Sequence, residues 1–243
     1  MNISKEVRLA NTNRQAATTI ASSRKIALAA GIFYLLTFVS IPSIALYSQV
    51  KGANYILGAG PDTAAIIGGI SEVIVALAGI GTAVVLFPVL KKQNEGLALG
   101  LVASRILEAA AIFVGVAFLL SIVTLRQAAA GADALVTSHT LVALYDRIFL
   151  LGPSFMPAID DLLLGFLLYK SRLVPRALSL IGIVGAPILI VGYLAILFGV
   201  IGQDAPLRAL AALPVFVFEL SLGIWLIVKG FNPSAANELL GAE

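Results

Sequence analysis

Five ionisable residues interrupt stretches that are otherwise long and apolar: Arg105 and Glu108, the consecutive Asp160 and Asp161, and Glu219. A charge at the centre of a membrane span costs about 2.5–3.5 kcal/mol on insertion scales, so each of these side chains requires a partner, a proton or water. Three residues apart on one helix, Arg105 and Glu108 are neighbours and can pair. The planar guanidinium has room for a second carboxylate, and Glu219 is the expected one because the depths agree. Counted from the nearest polar break at 1.5 Å per residue, Arg105 and Glu108 lie roughly 12–17 Å deep, and Asp160, Asp161 and Glu219 roughly 12–14 Å. If the three helices converge, one guanidinium meets four carboxyl groups. A dry core does not tolerate that excess of negative charge, so protonation, a bound cation or a water-filled cavity must relieve it. The chemistry in view is the binding of a proton or a small cation. The competing reading is a clamp that only fixes helix packing.

Asp160 and Asp161 point roughly 100° apart on a helix, so one is expected to face the bundle interior and the other a neighbouring helix or water. Glu72, Asp146 and Arg147 fall nearer the outer face, where Glu72 and Arg147 can either pair across the second and fourth spans or simply reach water. The single histidine, His139, is expected to be solvated in an outer loop, and one histidine makes no metal site unaided. With no cysteine, the chain has no disulfide and no thiolate ligand. No cofactor or metal site is read from it. There is no HExxH, no Gly-x-Ser-x-Gly elbow and no Gly-rich phosphate loop, so a membrane-embedded enzyme ranks last among the readings. No basic stripe with interleaved aromatics suggests nucleic acid. The oligomeric state is not legible.

The elements that must position these groups follow from composition. Of 243 residues, 60% are hydrophobic and 12% charged, against roughly 45–50% and about 25% in soluble domains. Lipid must supply the apolar surroundings. Crossing a core of about 30 Å takes about 20 apolar residues, and six stretches qualify: 26–50, 64–90, 97–125, 141–169, 177–201 and 209–228. The first run exceeds the roughly 7–15 residues of a signal-peptide core and reads as a retained span. Continuous apolar runs, rather than short alternating ones, select a helical bundle over a β-barrel.

The expected architecture is therefore an all-α, six-helix transmembrane domain over 26–228. A basic cytoplasmic segment (1–25) precedes it and a cytoplasmic tail (229–243) follows. With both termini inside, segments 1–25, 91–96, 170–176 and 229–243 hold eleven Lys and Arg, and the outer loops hold only Lys51, Arg126 and Arg208. That asymmetry obeys the positive-inside rule. Pro153 and Pro157 predict a kink or break of the fourth span near Gly152. Its 29 residues would otherwise measure about 43 Å, more than the bilayer core. The glycines Gly68, Gly69, Gly79, Gly81, Gly96 and Gly100 permit close helix approach of the ordinary kind.

Four stretches carry a resemblance: RKIALAAGIFYLL near the N-terminus, SRILEAAAI in the third span, LLLGFLLYKSRLVPRAL, and ELSLGIWLIVKG at the end of the sixth. The chain resembles the bacterial integral-membrane family catalogued as domain-of-unknown-function family 4386, over about Arg24 to Gly230. The most specific residues are Arg105 with Glu108; Gly165, Tyr169, Ser171, Pro175 and Arg176; and Glu219 with Trp225 and Gly230. The AIDD stretch at 158–161 departs from the family's pattern, which is more often aromatic and glycine-rich there. The resemblance implies a multi-pass protein of the bacterial cell (inner) membrane and brings no activity, substrate or cofactor with it.

Overall fold

The computed structural model describes residues 21–202 and 206–241. The first twenty residues of the basic N-terminal segment and the last two of the C-terminal tail lie outside the described residues. Helices α1 (Ala21–Tyr47), α2 (Thr63–Gln93), α3 (Glu95–Gln127), α6 (Arg176–Leu197) and α7 (Pro206–Val228) are each long and apolar enough to cross a membrane. The sixth such span, Gly131–Ser171, is divided into α4 (Leu135–Leu151) and α5 (Met156–Ser171). No strand occurs among the described residues.

The helices extend beyond several of the expected spans. The first already runs through Arg24 and Lys25, and the second ends with Lys91 and Lys92 in its last turn. Hydropathy marks the apolar length of a span. The backbone stays helical further out because Lys and Arg stems reach water from within a helix, and cations favour its C-terminal end. The expected tail is also partly folded. Asn232 caps a short helix, α8 (Pro233–Leu240), by accepting a hydrogen bond from Ser234 N at 3.1 Å. Its Ala235 and Ala236 are buried against the bundle.

The predicted interruption of the fourth span is present at Gly152–Phe155. Pro153 has no N–H to donate, and Ser154 N reaches back to Phe149 O at 3.0 Å instead. At the break Gly152 sits directly against Ala111 of α3, leaving no space for a Cβ. A second interruption, at Phe38–Val39, was not expected from sequence. There Thr37 Oγ1 donates to Tyr34 O at 2.7 Å, satisfying a carbonyl at the bend.

α3 is embedded against α2, α4 and α5. α1 lies between α2 and α7: Gly81 of α2 faces Phe33, and a Cβ on Gly31 would stand 2.8 Å from Gly223 O of α7. At the end of the bundle where the described residues begin and end, one continuous core joins α1, α2, α3, α5 and α7 with α8. The opposite end holds three smaller apolar clusters.

Candidate intramembrane polar site

α3 turns Arg105 inward, and its guanidinium gathers carboxyl groups from three helices. Nη1 donates to Glu108 Oε2 at 2.9 Å, one turn along the same helix. Nη2 donates to Glu219 Oε1 of α7 at 3.0 Å. Nε stands 3.4 Å from Asp160 Oδ2 of α5, an ion pair without a hydrogen bond. The Tyr34 hydroxyl of α1 accepts from Nη2 at 3.4 Å, and the ring of Tyr34 lies 5.7 Å from the guanidinium carbon. Ser104 donates to Asp160 Oδ1 and to its own helix at Leu101 O. Four helices thus meet at one arginine.

The two sides of this layer differ. Arg105, Asp160 and Asp161 are buried, and the Asp160 side chain is 0% exposed, whereas those of Glu108 and Glu219 keep 11% and 15%. Glu108 and Glu219, together with Arg105, line a cavity of about 270 Å³ that has walls from every span. Gly79 of α2 leaves the space: a Cβ there would stand 3.8 Å from Glu108 Oε2 and 3.9 Å from Arg105 Cδ. Both helix interruptions form part of the cavity wall, through Thr37, Phe38 and Ser40 of α1 and through Pro153 and Ser154. The wall reaches the outside of the bundle between α1 and α7, where Ile41, Ile44 and Phe216 are exposed. There Phe38 and Phe216 pack edge to face with ring centres 5.3 Å apart.

The structure therefore brings Arg105 together with Glu108, Asp160 and Glu219, as their matching depths predict. Of the two aspartates, Asp160 faces Arg105, and Asp161 does not reach water. Both are fully buried. Asp161 lies one turn before Gly165, which packs onto Ser179 and Ile183 of α6, and neither Asp161 oxygen has a hydrogen-bond partner. The break ends five residues before Asp160 and starts α5 inside the bundle, where Met156, Ala158 and both aspartates are buried.

The Glu72–Arg147 pair is not formed. Arg147 is exposed because it stands about 200° around α4 from the buried Tyr145. Glu72 shares a face of α2 with Val75, Ala76 and Gly79, is buried, and lines the same cavity as Glu108 and Glu219. Its Oε1 has no hydrogen-bond partner. Asp146 pairs with Lys51 at 2.6 Å instead. Sequence reasoning missed Tyr34, Ser104 and the inward position of Glu72. Tyr34 could have been found as a polar aromatic about midway along the first span, and Ser104 as the neighbour of the buried arginine.

The DUF4386 family model, described as a domain of unknown function, matches residues 29–230. The chain belongs to that family. All five residues of the charged layer, and Glu72, fall inside the matched region, so the polar site is built wholly within the part of the chain that defines DUF4386 membership. Neither a curated protein nor a solved structure matches this DUF4386 chain.

The end of the bundle opposite α8 is tied by a separate polar network. Asp62 pairs with Arg126 at 2.7 Å and accepts from Gln127 Nε2 at 3.0 Å and from the Tyr55 hydroxyl. Arg126 also donates to Gly60 O and lies over the Tyr55 ring at 4.2 Å. These contacts hold the 48–62 segment onto α3. The hydrogen bond from Tyr55, aided by Gln127 and Arg126, holds the Asp62 carboxyl below its usual range. Burial and the bond to Asp62 push Tyr55 up to about 12.

Proposed function

We propose that this DUF4386 protein binds a proton or a small cationic solute in the cavity over Arg105 and moves it through the membrane. The observation that carries this reading is that Glu108 and Glu219, already joined to a shared arginine, form the wall of a cavity together with the unpartnered Glu72. Arg105 pairs with Glu108, Asp160 and Glu219, Asp161 is buried next to Asp160, and Glu72 adds a fifth acid in the same cavity wall, so the layer is neutral only if it takes up positive charge. Among the described residues no three acidic or histidine side chains are arranged around a point that could hold a metal ion. The carboxylates turn to the guanidinium instead, which favours a proton or a soft organic cation over a metal. Interrupted helices beside a binding cavity are also a recurring feature of transporters. The positive-inside asymmetry supports cytoplasmic termini, with the cavity in the outer half of a bacterial inner-membrane protein.

A second reading, a membrane scaffold or partner subunit, is favoured by the direct pairing of Arg105 and by the dry burial of Asp160. Glu219→Gln separates the two. It keeps an oxygen to accept from Arg105 but removes a charge from the cavity. In proteoliposomes the transport reading expects proton or cation flux to fall on the order of tenfold, a barrier change of about 1.4 kcal/mol. Unchanged flux with lowered thermal stability would support the scaffold.

A further inference from the structure

A second concave site lies at the end of the bundle where the described residues begin and end, far in sequence from the cavity residues on α2 and α3. The α5–α6 turn and the α7–α8 turn are held together by Asn232 N donating to Leu173 O at 2.8 Å. Both turns pass through left-handed backbone, at Arg172 with φ 57° and at Gly230 with φ 74°. Between them is a groove of about 690 Å³ with an apolar floor of Leu173, Val174 and Phe231. Its rim carries Arg172, Arg176 and Lys229, with Trp225 in the wall. All three cations are exposed, and among the described residues none forms an ion pair or a hydrogen bond to a carboxylate. Arg176 rests on the Tyr169 ring at 5.0 Å. Arg24 adds a fourth positive charge close by. Its guanidinium donates to Leu226 O at 2.9 Å and to Ile227 O at the C-terminal end of α7, beside Gly230. Glu238 lines only the adjacent hollow, with Lys170 and Arg172, and pairs with neither.

We infer that this groove binds the phosphate of an anionic phospholipid. Three unneutralised cations around one concavity attract a compact anion. The groove stands at the ends of two membrane spans, where a tryptophan sits at headgroup level and basic pockets between helices take up acidic lipid heads. On the same two helices, about one turn deeper, Leu180 and Ile224 are exposed to receive acyl chains. A free phosphate shares the charge but has nothing to lay along those side chains. The reading is independent of the cavity and of what passes through it.

The test uses the full chain in nanodiscs of phosphatidylcholine alone or with one-third phosphatidylglycerol, read by thermal unfolding and by native mass spectrometry of retained lipid. The expected result is a higher midpoint and retained phosphatidylglycerol, with retention falling on the order of fivefold for each cation removed in Arg172→Gln, Arg176→Gln and Lys229→Gln. Lys51→Gln, a charge change at the other end, should alter neither. Retention unaffected by the triple substitution would overturn the assignment. So would an equal midpoint shift from millimolar inorganic phosphate in phosphatidylcholine discs, which would make the groove a site for a soluble anion.

Discussion

The two ends of the bundle use the same kinds of helix in different ways. On the α8 side, Ala27, Tyr34, Leu86, Leu101, Leu164, Phe218 and Leu222 belong to one continuous core, closed at its end by α8. Toward the other end the helices are interrupted at Phe38–Val39 and at Gly152–Phe155, and the apolar contacts divide into three clusters around the polar cavity. Arg105 stands at the boundary, bound on its dry side to Asp160 and on its open side to Glu108 and Glu219. Leucine-rich faces close a membrane bundle. Prolines, a bend and a glycine such as Gly79 open it, and charge collects where the two regimes meet.

Removing the boundary should have the largest effect. Arg105→Leu leaves buried carboxyl groups without their shared cation, and it is expected to destabilise the fold by about 3–5 kcal/mol, measured by thermal or denaturant unfolding in detergent. A loss under 1 kcal/mol would mean that the carboxyl groups do not depend on the guanidinium. Next, truncation should cost more in the closed half than in the open one. Leu167→Ala, at a position 0% exposed, is expected to lose about 2 kcal/mol, the low end for core leucines because lipid is itself apolar. Ile112→Ala borders space that already exists and should lose less than half of that; equal losses would erase the contrast between the halves.

The smallest effect concerns the tie between Asp62 and Arg126. Asp62 has a folded pKa below its unfolded value, so its contribution is complete above the unfolded pKa of about 4 and is lost as pH falls through the folded one. Acid titration of stability should therefore show a small extra loss below about pH 4. Asp62→Asn should remove it, and persistence of the loss would assign it to another group.

Spans, the broken fourth helix and the convergence of Arg105, Glu108 and Glu219 were legible because each follows from a one-dimensional quantity: apolar length, a proline in a helix, or depth along a span. What was not legible depends on rotation about the helix axis. Glu72 and Arg147 agree in depth, yet one faces the cavity and the other faces outward. Asp160 and Asp161 differ by 100° but are both enclosed, because the break seats α5 deep among its neighbours. The bend at Phe38–Val39 does carry a signal, because Pro42 has no N–H to give to Phe38 O, but the unbroken apolar run around it hides that signal, and α8 is too short and polar to register as a span.

The contrast between an open and a closed half can be tested directly, because the chain contains no cysteine and a single introduced thiol reports its own surroundings. Ser154→Cys lies in the cavity wall, and Ser179→Cys is also buried but outside it, on the α5–α6 contact. In liposomes, a water-soluble cationic thiosulfonate should modify the thiol at 154 at least tenfold faster than the thiol at 179, an accessibility difference of about 1.4 kcal/mol. Equal rates, or no reaction at 154 in folded protein, would contradict a cavity that gives a cation access to the Arg105 layer.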